Sequence, residues 1–137
     1  MGKKEEIADI VRDTLITKYG YQAEGNYVRK PISNNYAIGF YHNTDDPGNP
    51  LSICITHREG TGFSPTQRST ILEVLNRREF TNSYSEPGEG DSSDGRAEIW
   101  SALEISKFSG FSNQDIANWI VLLFEHFVTT VGLLELT

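Results

Sequence analysis

Apolar residues recur every three or four positions at the start of the chain. This spacing places them on one face of a helix between about residues 4 and 18. Acidic residues come early and Lys18 comes late, as the helix dipole prefers, and Gly20 is typical of a C-terminal stop. The sequence therefore predicts an amphipathic helix. Its apolar residues are Ile7, Ile10, Val11, Leu15 and Tyr19.

From residue 27 the hydrophobic period changes to two, which is typical of strands. Alternation predicts strands near residues 27–32, 36–41 and 51–56, separated by polar loops. In the third of these strands Ile53 and Ile55 share one face, and Cys54 occupies the other. Short loops between the three strands predict an antiparallel meander.

In the second half of the chain, the sequence predicts a capped helix before a strand hairpin and another capped helix after it. Ser64-Pro65-Thr66-Gln67 is a helix start that combines a cap, a proline at the first helical position and a capping box. The predicted helix ends near Glu79, and strands 80–86 and 96–105 flank a loop with the turn pair Asp94-Gly95. Ser112 begins a last helix that we expect Gly132 to end. The predicted order is α-β-β-β-α-β-β-α.

Composition and charge narrow the function classes. The chain has 137 residues, and we expect residues 1–137 to form one α+β domain. A net charge of −7 opposes binding to nucleic acid or to an anionic membrane. One cysteine, no apolar signal core and no apolar run long enough to span a bilayer predict a cytoplasmic location.

Two sequence phrases resemble the YbjN family. One is the helix end Leu75–Arg78, and the other is Gly110–Ile116, which precedes a long apolar helix; an acidic-looped hairpin lies between them. The resemblance covers Ser64 to about Leu134. That family is similar in fold to the type III secretion chaperones. The resemblance implies a bacterial, commonly dimeric α+β domain with helices against a curved antiparallel sheet, without cofactor or catalytic residues. It also implies a regulatory role or the binding of a partner-protein segment.

The last helix is apolar around most of its circumference, well beyond the single stripe that a surface helix needs. Either the protomer buries all of it, or a second copy covers one side. We favour a homodimer face at Trp119, Leu123 and Phe127. The alternative, a central helix within the monomer, stays open.

Aromatic residues on the predicted sheet are the candidate partner-binding surface. The proposed anchors for an extended or helical segment are Tyr36, Phe40, Tyr41 and Trp100. This hypothesis makes the chain a non-enzymatic binding domain, with a protein partner or itself as the ligand. A third possibility is an accessory subunit for which the last helix is only an interface.

A different class of function would use an anion site. The loop Gly60–Gly62 precedes a helix, and Arg77 and Arg78 lie at the C-terminal end of that helix, so an anionic small molecule or an enzyme substrate is the alternative ligand. A lone Gly-x-Gly is a weak signal, and basic residues also complement a helix C-terminus. We favour the structural interpretation, in which Arg77 and Arg78 only complement the dipole at the end of the helix.

Other chemistry finds little support in the residue pattern. Glu86, Glu89, Asp91 and Asp94 crowd one loop but lack the spacing of a calcium loop. The histidines, at positions 42, 57 and 126, lack paired metal-ligand spacing. Cys54 has no base beside it in sequence, so we expect an inert, half-buried thiol. We therefore predict no catalytic residue, metal or cofactor.

Overall fold

The computed structural model describes residues 2–32, 36–43, 51–57, 66, 69, 73, 81–86 and 98–134. Two helices with described bounds and six strands lie within these ranges, together with a short 3-10 helix at Ile105–Phe108 and three separate helical positions at 66, 69 and 73. The helices are α1 (Lys3–Tyr19) and α2 (Asn113–Leu134). The strands are β1 (Gln22–Glu24), β2 (Tyr27–Pro31), β3 (Tyr36–Tyr41), β4 (Leu51–His57), β5 (Thr81–Glu86) and β6 (Glu98–Leu103).

The strands form one antiparallel sheet in the order β1-β2-β3-β4-β6-β5. The predicted meander is confirmed as β2-β3-β4. Strand β6 then pairs with both β4 and β5, so the hairpin of β5 and β6 joins the meander through its second strand. The α+β class predicted from the sequence is confirmed.

Strand β1 was not predicted. It pairs with β2 through the two-residue turn Gly25-Asn26, and Gly25 has a φ of 59°. Two-residue hairpins need a positive φ at this position, which glycine adopts without a steric penalty. The strand is only three exposed residues long, Gln-Ala-Glu, and carries no apolar alternation that would mark it.

The two faces of the sheet differ in what covers them. One face packs against the helices: the ring of Phe40 lies 6.0 Å from that of Phe124 in α2, and Val28 and Ile53 are paired with Phe40 on that face. Isoleucines of the same face are buried from β3 to β6. We call the opposite face the aromatic face. Its residues include Tyr27, Arg29, Gly39, Tyr41, Cys54, Thr56 and Trp100, which alternate with the core residues along each strand.

Helix α1 ends as its sequence predicts. Gly20 has a φ of 75°, and the N–H of Tyr21 donates to the carbonyl of Leu15 at 3.0 Å. This arrangement satisfies a carbonyl that the last helical turn leaves free. Ile7, Val11 and Leu15 form the buried stripe, so the helical periodicity correctly gave the core side of α1.

Helix α2 begins at the predicted cap and runs past the predicted stop. The Ser112 hydroxyl accepts a hydrogen bond from the N–H of Asp115 at 3.1 Å. The expectation that Gly132 ends the helix is wrong, because α2 continues to Leu134. A glycine inside a helix costs about 1 kcal/mol relative to alanine, which lowers stability without forbidding helical geometry.

The predicted middle helix falls mostly outside the described residues. Thr66, Ser69 and Glu73 are helical and exposed, and their spacing places them on one face of a helix. This agrees with the polar side of the predicted segment. No helix in the described ranges is long and apolar enough to cross a membrane.

Candidate binding surface

Three aromatic residues from three strands meet on the aromatic face. The ring centroids of Tyr27 and Tyr41 are 4.8 Å apart, those of Tyr41 and Trp100 5.7 Å, and those of Tyr27 and Trp100 6.1 Å. All three side chains are half-buried. We call these residues the aromatic cluster. Tilted and edge-to-face geometry at such distances stabilises aromatic groups beyond their buried area.

Small residues on β4 make this cluster possible. Strand β4 lies between β3 and β6, and its positions on the aromatic face in the rows of Tyr41 and Trp100 are Ser52 and Cys54. Two strands separated by a third are roughly 10 Å apart, too far for direct side-chain pairs unless the middle strand leaves space. Because Ser52 and Cys54 are short, the rings of Tyr41 and Trp100 meet above β4.

A depression of about 180 Å³ lies beside the cluster. Gly39 and Cys54 are directly paired in register and both line it. A Cβ at Gly39 would lie 3.4 Å from the carbonyl oxygen of Val28, at about van der Waals contact, so the missing side chain leaves this part of the wall open. Tyr27 and Thr56 line it as well. The space is large enough for one side chain, and its lining also includes the charged residues Glu24 and Arg29.

An ion pair stands at the rim of the depression. The guanidinium of Arg29 lies 3.2 Å from the carboxylate of Glu24, and both side chains are partly exposed. Exposed pairs of this kind stabilise a fold by 0–1 kcal/mol. Their charges offset one another, so this end of the aromatic face is close to neutral.

Cys54 lies on the predicted face of β4 and is buried there. Its thiol is 3% exposed, on the face opposite Ile53 and Ile55, and lies 3.7 Å from the Thr56 hydroxyl. The sequence predicted this face, although it predicted only half-burial. The contact joins the thiol to an uncharged hydroxyl.

Two of the four predicted anchors are misplaced. Tyr36 and Phe40 are fully buried on the helix-covered face, so they offer nothing to a partner. The physical reason is the strand period, which puts these two residues on the face opposite Tyr41. Tyr41 and Trp100 do lie together on the aromatic face. Tyr27 completes the cluster, and sequence reasoning missed it because its pairing with Tyr41 depends on the register of β2 and β3.

The predicted dimer face also needs correction. Leu123 and Phe127 are 4% and 1% exposed, inside the protomer core. Trp119 packs against Phe108, with ring centroids 4.7 Å apart. Helix α1 and the 3-10 helix bury the sides of α2 that a second copy was expected to cover. Among the side chains of α2 that the structure describes, residues 113–129, the exposed large apolar one is Leu122, at 61%.

The anion candidates Arg77 and Arg78 and the loop Gly60–Gly62 lie outside the described residues, as do Glu89, Asp91 and Asp94 of the acidic loop. The alternative anion site therefore stays a prediction. Among the residues that the structure does describe, no group of three histidines, cysteines or carboxylates could hold a metal ion.

His42 is buried next to α1. Its side chain is 3% exposed, and burial lowers the pKa of this imidazole. Charges on α1 act in both directions: Glu5 and Asp9 raise the pKa of His42, whereas Lys4 and Arg12 lower it. His126 is exposed on α2 beside Phe127. The histidines at 42 and 126 therefore occupy different environments.

Comparison with protein-family models, with curated proteins and with solved structures gives no match for this chain.

Proposed function

We propose that this domain is a non-enzymatic binding module that captures a segment of a partner protein on the aromatic face. The observation that carries the proposal is the aromatic cluster of Tyr27, Tyr41 and Trp100 beside a depression that fits one side chain. Tyrosine and tryptophan are enriched among the residues that dominate binding energy at protein interfaces. Partly exposed rings held by neighbouring rings are already ordered, so binding costs little side-chain entropy.

An extended segment suits this surface. Its side chains alternate with a period of two, so every second residue faces the sheet. One apolar side chain would enter the depression, and the next residue of the same face would contact Trp100. Binding would remove apolar area of the captured segment from water, which is favourable by about 25 cal/mol per Å².

The wider assignment is part of the same proposal. The α+β class and the order of the elements are consistent with a YbjN-like domain of the type III secretion chaperone type. On that basis we propose a bacterial, cytoplasmic regulator or chaperone. A homodimer remains part of the proposal, with its interface elsewhere than at Leu123 and Phe127.

Substitution of Trp100 by alanine tests the proposed surface. Proteins captured by the wild-type domain would be identified, and their affinity for each variant would be measured by calorimetric titration. We expect Trp100→Ala to weaken capture at least about thirtyfold, because truncating a hot-spot residue costs about 2 kcal/mol or more. Circular dichroism would confirm that the variant remains folded.

Two further variants keep this test specific. Tyr41→Ala should weaken the same interaction, since Tyr41 contacts the Trp100 ring. Leu122→Ala is the matched control, because Leu122 is an exposed apolar residue on α2, away from the aromatic face. Unchanged affinity in both aromatic variants, or an equal loss in the control, would contradict the proposed surface.

A further inference from the structure

The side of α2 that points away from the core carries a regular pattern of four residues. They are spaced four, three and four positions apart, which keeps them within a strip about 60° wide on the helix. Leu122 is 61% exposed, Trp119 is half-buried, and the two residues at the ends are exposed. We call these residues the outer stripe: Asp115, Trp119, Leu122 and His126.

Apolar surface continues from the outer stripe onto the segment before α2. The ring of Trp119 lies 4.7 Å from that of Phe108, which in turn lies 6.0 Å from that of Phe111. Phe111 is 57% exposed. The described side chains include three exposed large apolar ones, and Phe111 and Leu122 are two of them. Exposed apolar side chains gathered on one surface mark an interaction site, whereas a single one does not.

The order of chemical groups along the outer stripe is complementary to its own reverse. A carboxylate stands at one end, an imidazole at the other, and two apolar side chains lie between them. A second copy of α2 laid antiparallel brings its Leu122 to Trp119 and its His126 to Asp115. The two-fold axis then passes between Trp119 and Leu122, so each contact is made twice. The imidazole N–H donates to a carboxylate in either protonation state, and protonation adds an ionic attraction.

The opposite orientation does not give this match. Parallel helices would place Asp115 beside Asp115 of the second copy and His126 beside its His126, and like charges at short range repel. A partner for the outer stripe needs a base, two apolar residues and an acid at the same spacing. A second copy of α2, in reverse direction, has that pattern.

The outer stripe is only about 16 Å long, so the interface belongs to the small class. We therefore expect a weak dimer, with a Kd of roughly 0.1 mM. At such an affinity the chain is monomeric at the low micromolar concentrations of a spectroscopic unfolding experiment.

We propose that two copies of the chain associate through an antiparallel pair of α2 helices, with Trp119 of each copy against Leu122 of the other and Asp115 of each against the other's His126. This inference rests on the homodimer in the proposed function and names its surface. The aromatic face lies on the side of the sheet opposite the helices, so this dimer does not cover it.

Sedimentation equilibrium of the full-length chain measures the association. The range is about 10 to about 500 µM, at a pH of about 6.5, where an ordinary histidine is half protonated. Leu122→Glu should weaken dimerisation at least about tenfold, because it places a carboxylate among apolar groups at the centre of the interface. The matched control is Ile16→Glu, which adds the same charge at a 38% exposed apolar residue of α1 and should leave the Kd unchanged.

Charge reversal tests the order of the pairs. Asp115→Lys brings a cation beside His126 of the second copy, and His126→Glu brings a carboxylate beside its Asp115. Each variant alone should dimerise about tenfold more weakly, since both pairs of the dimer change from attraction to repulsion. An equimolar mixture of the two variants should associate about as well as the wild type, because every pair then joins opposite charges. Circular dichroism would show that each variant is folded.

The chain that carries both charge reversals distinguishes the two orientations. In the antiparallel dimer each new lysine faces a new glutamate, so this chain should associate about as well as the wild type. Parallel helices would set lysine against lysine, and association would stay weak.

A dilution series followed by NMR gives a measurement without any substitution. The indole N–H signal of Trp119 should shift between about 500 and about 20 µM, while that of Trp100 on the aromatic face stays in place. A chain that is monomeric throughout, a mixture that does not recover, or a Trp100 signal that moves alone would each refute the antiparallel dimer. None of these results bears on capture at the aromatic face, which the titration of Trp100→Ala tests separately.

Discussion

Two adjacent leucines on α2 give a sharp test of the packing. Leu123 is 4% exposed and belongs to the core, whereas Leu122 is 61% exposed. Replacing either by alanine removes the same atoms. Burial decides the cost: Leu→Ala in a core costs 2–5 kcal/mol through lost apolar transfer and the cavity left behind. The same change on the surface usually stays within about 0.5 kcal/mol.

Leu123 contributes to the core where α2 meets the rest of the protomer, so we expect about 3 kcal/mol for Leu123→Ala. With a urea m-value of about 2 kcal/mol per M, the unfolding midpoint should fall by about 1.5 M. Leu122→Ala should move it by less than about 0.3 M. The measurement is urea unfolding followed by circular dichroism, repeated at a tenfold lower protein concentration.

Equal midpoints for the two variants would refute the orientation of α2. A loss in Leu123→Ala that grew on dilution would show that a second copy, rather than the protomer, covers this residue. The structure predicts a loss that is independent of concentration.

Three further predictions concern local features. Gly20→Ala should lower the free energy of unfolding by about 1 kcal/mol, measured by chemical denaturation. No atom blocks the new Cβ, but alanine is strained at a φ of 75°. An unchanged free energy of unfolding would contradict the left-handed cap. Ser112→Ala should lower the free energy of unfolding by about 1 kcal/mol, because the hydrogen bond from the N–H of Asp115 is lost. Ser112→Asp should keep most of the wild-type stability, because aspartate also caps helices. Equal stability of all three chains would mean that the cap is not formed. Burial lowers the pKa of His42 below the ordinary 6.5. Below about pH 6.5 the unfolded chain therefore binds more protons than the folded one. The contribution of His42 to stability should be full above about pH 6.5 and should fall as the pH drops below that value. His42→Gln should flatten this slope between pH 7 and 5, and a slope that stayed unchanged would rule out His42 as its source.

Hydrophobic periodicity and capping residues correctly predicted the elements whose formation depends on neighbouring residues in the sequence. The periodicity of α1 identified its buried stripe, and the residues at its end and at the start of α2 made the predicted caps. Alternation identified β3 and β4. Strand β1 was not predicted because three residues are too few to show an alternating pattern. The adjoining Gly25-Asn26 pair is nevertheless a recognised hairpin turn.

The candidate site depended on contacts between distant parts of the chain. Alternation already separates Tyr41 from Phe40, so the face of Tyr36 and Phe40 was predictable from β3 alone. Whether Trp100 meets Tyr41 depends on β6 lying beside β4 and on the small residues of β4. Neither the strand order nor the register follows from local sequence.

The same limit applies to α2. Its apolar circumference correctly indicated that the helix must be covered on several sides. The sequence did not say whether α1 or a second copy does so, since both satisfy the same hydrophobic requirement. Tertiary packing within the protomer buries Leu123 and Phe127.

The two tryptophans provide the most direct test of the aromatic face as the binding surface. Trp100 lies in the aromatic cluster, and Trp119 lies on α2 against Phe108. Each has one indole N–H signal in a proton–nitrogen NMR spectrum, and Trp119→Phe would assign them. During titration with a captured partner segment, the Trp100 signal should shift or broaden while that of Trp119 stays in place. Movement of the Trp119 signal with an unchanged Trp100 signal would contradict the account.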